Sequence, residues 1–261
     1  MAVHFATEQG IATVTIDRPE VANAIDAPTA LELADAFRRF EADEELNVAV
    51  LCGANRTFCA GADLKAMRSG DPTRITRLQP DGDGPVGPTR MLLAKPVIAA
   101  VEGHAVAGGL ELSLWCDLRV AAEDAVFGVY CRRWGIPLMD GGTVRLARLI
   151  GQSHALDMIL TGRGVRGPEA ATMGLANRLV PTGTALEAAL ELAREIGERP
   201  QAALRHDRLS TQEQWSLSLP EALSNEYRHG MAALQSAEML SGLDRYASGS
   251  WRQERGGRSP S

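Results

Sequence analysis

Apolar and polar positions alternate over residues 11–16 (Ile-Ala-Thr-Val-Thr-Ile), a period of two that predicts a strand. A shorter alternating run precedes it, and Thr7-Glu8-Gln9-Gly10 between the two reads as a hairpin turn. Asp17-Arg18-Pro19 ends the strand. Over residues 27–40 the period lengthens to that of an amphipathic helix, with Leu31, Ala34, Phe37 and Phe40 or their neighbours on one face. Residues 47–52, apolar from Val48 to Cys52, read as a buried strand, and a glycine-containing segment follows to residue 62. Residues 69–89, rich in Gly, Pro, Asp and Arg, read as a mobile loop. Further strands are predicted at 97–101 and 118–122, with helices from 109 to about 115 and from about 141 to 150. From Ser153 onward the pattern is helical, broken by one strand at 176–180.

Strands alternating with helices imply an α/β layered fold with parallel pairing. The C-terminal helical stretch carries stripes of Ala, Leu and Met (Met231, Leu234, Met239, Leu243) that pack either on the chain's own body or on another subunit. The tail from Gly249 to Ser261 is polar and expected to be disordered. No fixed-period repeat is visible.

Composition narrows the function classes. With 261 residues the chain can bury a substantial core as one large domain, or as a domain with a helical appendage. Hydrophobic residues make up 45% and charged residues 23%, and the formal charge of −6 argues against nucleic acid or an anionic membrane as partner. No apolar run reaches the ~18 residues of a membrane span. The first residues lack the basic and apolar regions of a secretory signal. Cys52, Cys59, Cys116 and Cys131 are widely spaced, with no C-x-x-C and no histidine at zinc spacing. They are expected to be reduced thiols in a cytoplasmic protein, and no metal is expected.

Two loop-to-helix junctions are rich in small residues: Phe58-Cys59-Ala60-Gly61-Ala62-Asp63-Leu64 and Ala107-Gly108-Gly109-Leu110-Glu111-Leu112. Small residues admit a ligand close to the backbone, and a helix N-terminus offers free N–H groups and partial positive charge. Two such ends facing each other would hold a developing oxyanion, although each alone is ordinary packing. Together they resemble the enoyl-CoA hydratase/isomerase (crotonase) family. The resemblance runs through Ile16-Asp17-Arg18-Pro19 with Asn23-Ala24, both junctions, and Lys95-Pro96-Val97-Ile98-Ala99-Ala100-Val101. It continues through Gly103-His104-Ala105-Val106, Cys116-Asp117-Leu118-Arg119-Val120-Ala121 and Gly141-Gly142-Thr143-Val144-Arg145-Leu146, and covers about residues 3–200.

The resemblance implies a spiral of ββα units at residues 1–195 carrying an acyl-CoA site, a helical trimerisation region at 196–250, and a disordered tail at 251–261. It implies a homotrimer or a hexamer of two trimers. Ala62 and Gly108 fall on the family's two oxyanion-hole positions, and Val21, Ala22, Ala60, Asp63 and Leu64 fall where coenzyme A lies. Coenzyme A would be part of the substrate, with no separate cofactor. Glu111, one helical turn beyond Gly108, matches one of two catalytic glutamates of the hydratases; its apolar neighbours would raise its pKa.

The second glutamate is absent: Cys131 stands in its place. Asp140, just before a helix, is either a substitute acid or an ordinary N-cap. Cys131 is either a pocket-lining thiol or a nucleophile. Arg132 and Arg133 contact either the ligand or other side chains, and His104 lies near enough in sequence to line the pocket. A further departure is Arg245-Tyr246-Ala247, where relatives carry an aromatic followed by basic residues. The reading is an enoyl-CoA hydratase-like enzyme of fatty acid metabolism. An isomerase working with one carboxylate and a non-catalytic acyl-CoA binder are the alternatives.

Overall fold

The structure, a computed structural model, describes residues 1–249; the tail at 251–261 lies outside the described residues. The chain divides into a unit Met1–Ile196 and a unit Gly197–Ser261.

In the first unit β1 (Val3–Glu8) and β2 (Ile11–Ile16) form the expected hairpin. Gln9 (φ 49°) and Gly10 (φ 78°) both take the left-handed conformation that matches strand twist in a two-residue turn. The helix α1 (Ala27–Ala42) follows, capped by Asp26, whose side chain accepts the Thr29 N–H. Its buried face is Ala30, Leu33, Ala34, Phe37 and Phe40. Leu31, expected on that face, is 61% exposed, because two residues turn it about 200° from Leu33.

The chain then runs through β3 (Val48–Gly53), α2 (Leu64–Ser69), β4 (Val97–Val101), β5 (His104–Val106) and α3 (Gly108–Trp115). After these come β6 (Leu118–Ala122), β7 (Val126–Gly128), a 3-10 turn at Tyr130–Trp134 and α4 (Gly142–Thr161). The unit closes with β8 (Gly164–Arg166), α5 (Gly167–Thr172), β9 (Arg178–Val180) and α6 (Ala185–Gly197). One sheet has the order β1-β2-β3-β4-β6-β9, parallel except for the hairpin; the other has the order β5-β7-β8.

A strand in the first sheet, a short strand in the second and a helix recur as β4-β5-α3 and β6-β7-α4. The starts of β3, β4 and β6, at residues 48, 97 and 118, are unevenly spaced, so no fixed period marks the repetition in the sequence. Strands of three residues are too short to show periodicity, and the pattern does not predict β5, β7 or β8.

The parallel strands are buried on both faces, as unbroken apolar runs require. Leu51, Ala99 and Ala121 face the main core with Phe37 and Leu112. Val50, Ile98 and Val120 face Ala185, Ala189 and Ala193 of α6. The expected mobile loop at 69–89 is irregular but anchored. Arg74 reaches Asp26 (2.9 Å), Arg38 reaches Asp83 (2.5 Å), and Thr76, Val86 and Thr89 are buried.

The second unit is helical: α7 (Gln201–Glu213), α8 (Leu219–Leu234) and α9 (Ala237–Ser248). Ser218 and Glu221 form a capping box at the start of α8. Of the apolar stripe, Met231, Leu234 and Leu243 are exposed, as is Tyr246.

Arg119 of β6 is 1% exposed and holds the end of α3 in place. It donates to the carbonyls of Leu175 (2.6 Å), Cys116 (2.8 Å) and Ser113 (3.3 Å) and to Asn177 Oδ1 (3.2 Å). An apolar replacement strands these buried acceptors. Arg119→Leu is therefore expected to cost about 3 kcal/mol of unfolding free energy. The midpoint of urea unfolding checks this; an unchanged midpoint would show that those carbonyls do not depend on Arg119.

Candidate active site

The site is built where the segment 59–62 meets the start of α3. The Cys59 N–H donates to the His104 carbonyl (2.8 Å), and the Cys59 carbonyl accepts the Val106 N–H (3.0 Å). This short pairing lays the two segments side by side. A Cβ at Gly109 would overlap the Cys59 carbonyl, and one at Gly61 would lie 2.7 Å from the Gly108 nitrogen. Glycine at both positions is a condition of that approach.

Ala62 follows Gly61 (φ 93°), and Gly108 follows Ala107 (φ 53°, ψ −124°). Each of the two N–H groups is thus aimed by a left-handed residue immediately before it. At Ala107, which is not glycine, that conformation is strained and is held by the surrounding structure. Neither N–H donates a hydrogen bond among the described residues. Both residues border a cavity of about 270 Å³, whose wall includes Leu64, Met67, Val86, Trp134, Ile136 and Met139. Gly108 is the first residue of α3, so the partial positive charge of the helix start adds to the pair of donors.

Glu111 opens onto the same cavity and is 3% exposed. Its Oε1 accepts the N–H groups of Asp140 and Gly142, each at 2.8 Å. A Cβ at Gly142 would lie 2.9 Å from that oxygen, so glycine is what lets the turn close on the carboxylate. Burial, and next the charge of Asp140, push the Glu111 pKa up to about 7, against the lowering effect of the backbone N–H groups.

Asp140 also borders the cavity and is buried. Its Oδ1 accepts the Thr89 hydroxyl (2.5 Å) and the Val86 N–H (3.1 Å), and burial raises its pKa. It does not cap α4, for which no side-chain cap bond is formed.

Cys131 lines the cavity from the 3-10 turn. Burial, and then the nearby Glu111, raise its pKa, so it stands as a neutral thiol and not as a ready nucleophile. Ala60 and Leu64 are also on the wall.

The remaining candidate residues lie away from the cavity wall. Asp63 is fully engaged in structure. Its Oδ1 caps α2 through the N–H groups of Lys65 (3.1 Å) and Ala66 (3.0 Å), and its Oδ2 pairs with Arg18 (3.0 Å) and Arg74 (3.5 Å). Val21 and Ala22 are not on the wall; the Ala22 carbonyl accepts the Ala60 N–H (3.1 Å) and so supports a wall residue from behind. His104 is exposed and off the cavity, since along β5 it points opposite to the buried Ala105. Arg132 donates to the Ile159 carbonyl (3.2 Å), and Arg133 stacks on the Tyr130 ring at 3.7 Å. Thr89, which holds Asp140, is the contributor that sequence reasoning misses. It lies 51 residues away, at the end of an irregular segment with no local signal.

Residues 6–252 match the family described as enoyl-CoA hydratase/isomerase. The chain is 36% identical over 241 residues to enoyl-CoA hydratase EchA19 of Mycobacterium tuberculosis, covering 90% of this chain and 89% of that protein. It is 40% identical over 201 residues to the carnitinyl-CoA dehydratase of Salmonella typhi, covering 75% and 74%. The crystal structure of enoyl-CoA hydratase EchA1 from Mycobacterium marinum superposes with a TM-score of 0.88 at 34% identity, covering 95% of this chain and 96% of that one.

The raised pKa of Glu111 has a consequence for stability. The folded chain holds this proton more tightly than the unfolded chain, whose glutamate titrates near 4.5. Stability on this account is greatest below that pH and falls as pH rises through about 7. The full difference is worth about 3 kcal/mol. Glu111→Gln is therefore expected to be more stable than the parent at pH 8 and to gain little at pH 4. Urea unfolding at the two pH values tests this; an equal effect at both would mean that the Glu111 pKa is not raised.

Proposed function

The chain belongs to the enoyl-CoA hydratase/isomerase family, and from that premise we propose that it adds water to 2-enoyl-CoA thioesters or removes it. In this reading the thioester oxygen sits between the N–H groups of Ala62 and Gly108. Charge builds on that oxygen as the enolate forms, and two fixed donors stabilise it more than the neutral carbonyl of the ground state. Removing one such donor costs about 2.7–4 kcal/mol in acyl-transfer enzymes.

The observation that carries the reading is the placement of Glu111. Two backbone N–H groups hold its Oε1, on the wall that also carries both donors. Oε2 is then the oxygen that exchanges the proton. A pKa of about 7 lets the group take and return a proton near neutrality. Asp140, on the same wall, is the second acid, in place of a carboxylate at position 131.

A specific observation favours isomerisation as the second reading. The thiol of Cys131 is held neutral, so the position where the hydratase resemblance places an acid offers a water no second general base. One carboxylate is enough to remove a proton and return it elsewhere. The reading carries with it a homotrimer or hexamer in the cytoplasm, fatty acid metabolism as the setting, and coenzyme A as part of the substrate without a separate cofactor.

Turnover of crotonyl-CoA and longer 2-enoyl-CoA substrates is expected to fall about 10²-fold or more in Glu111→Gln. Asp140→Asn is expected to depress hydration more than conversion between 3-enoyl and 2-enoyl isomers. Tight acyl-CoA binding with no turnover of either substrate would overturn the enzymatic reading. Full activity in Glu111→Gln would overturn the assignment of the base.

A further inference from the structure

Three successive peptide groups wrap Glu111. The N–H of Asp140 points at Oε1, the carbonyl of Asp140 points away, and the N–H of Gly142 points at Oε1 again. Such a turn is an anion-binding nest, and the left-handed Gly141 (φ 91°) between the two donors creates it. Its outward carbonyl is taken by Arg145 Nη1 at 2.9 Å. A Cβ at Gly141 would overlap that guanidinium nitrogen, so the absence of a side chain there also makes room for the arginine.

The other arm of the guanidinium, Nη2, donates to the Thr89 carbonyl at 2.7 Å. The hydroxyl of the same Thr89 donates to Asp140 Oδ1. Arg145 is not on the cavity wall, and it directs these hydrogen bonds to carbonyl oxygens, not to carboxylates.

We propose that Arg145 is a positioning residue that braces both acids of the site: one arm fixes the turn holding Glu111, and the other fixes the backbone of the residue holding Asp140. The proposal rests on the reading above, in which those two carboxyls move protons. It goes beyond that reading by giving their alignment a single common support. A guanidinium suits the task because its planar fork presents two donors at a fixed separation, which a lysine ammonium cannot reproduce. Without the brace the 140–141 peptide is free to rotate and bring its carbonyl toward the Glu111 carboxylate.

Charge acts in the same direction. Arg145 faces Glu111, Asp140 and Cys116, with Arg148 on its own helix opposing it. Glu111 faces Asp140 and Cys131, and Asp140 also faces Arg90. Within this group Arg145 is a cation near both carboxyls, so its loss leaves Glu111 harder to ionise.

The test is the pH dependence of 2-enoyl-CoA hydration by the full chain, in the parent, Arg145→Met, Arg145→Lys and Glu111→Gln. Arg145→Met is expected to lower kcat about 10–100-fold with KM within about threefold, as a misaligned acid would. Its acidic limb is expected to move up by about half a pH unit or more, as loss of a nearby cation would. Arg145→Lys keeps the charge but not the fork, so its kcat falls while its acidic limb stays near that of the parent. A folded Arg145→Met whose acidic limb is unmoved overturns the proposal, whatever its kcat. Should that variant not fold, Arg145→Lys decides: an unchanged kcat overturns the proposal, and a lowered kcat at an unchanged KM supports it. Activity retained in Glu111→Gln would instead bring down the reading on which the proposal rests, so the two failures are distinguishable.

Discussion

The Cys59 carbonyl occupies the space that a side chain at position 109 would need, and the rest of the site follows from that contact. The carbonyl accepts the Val106 N–H, and the Cys59 N–H is bonded to His104, so a single residue is paired as if in a strand. This pairing places Ala62 beside Gly108, two residues 46 positions apart in the chain. Their N–H groups find no partner among the described residues, and each is aimed by a left-handed residue before it. Backbone donors of this kind need no rotamer to be ordered and do not reorganise when charge appears between them.

The two carboxyls show how one environment serves unlike ends. Both are buried on the wall of one cavity; burial raises the pKa of each, and the charge of Asp140 further raises that of Glu111. Burial and Asp140 push the Glu111 pKa up, and the N–H groups of the turn 140–142 act against them, so that it lies at about 7. Asp140 is compensated differently, by the Thr89 hydroxyl and the Val86 N–H from the loop that α1 anchors through Arg38 and Asp83. A carboxylate at position 131 would add a third negative charge to this pocket. The neutral thiol found there spares Glu111 that repulsion.

Charged side chains away from the cavity have architectural work. Asp26, Asp63, Arg18 and Arg74 form one partly buried cluster that joins the end of β2, the starts of α1 and α2, and the irregular segment beyond. The cluster holds the segment carrying Ala62 against the first turn of α1, where Ile25 and Gly61 also share a backbone bond of 2.7 Å. Asp63 thus helps to set the geometry of the segment that carries Ala62.

The strands of the large sheet, the hairpin and the main helices were legible because their periods are long enough to read; glycine marked the two junctions as places of close backbone approach, and the family resemblance singled out the N–H groups of Ala62 and Gly108 within them. Glu111 was legible too, since helical spacing puts it one turn from Gly108. Other features exist only in the folded chain. The three-residue strands take their pairing from neighbours, Leu31 and His104 turn outward by a rotation the motif does not specify, and Asp63 is consumed by arginines 45 and 11 residues away. Thr89 reaches Asp140 across 51 residues of chain, hydroxyl to carboxylate, and Arg145 reaches the Thr89 carbonyl across 56, a backbone acceptor that every residue type offers alike. Local sequence thus determines where glycine, charge and period fall. Which carbonyl meets which guanidinium is decided by tertiary packing, because a hydrogen bond to the backbone leaves no mark on the identity of its acceptor.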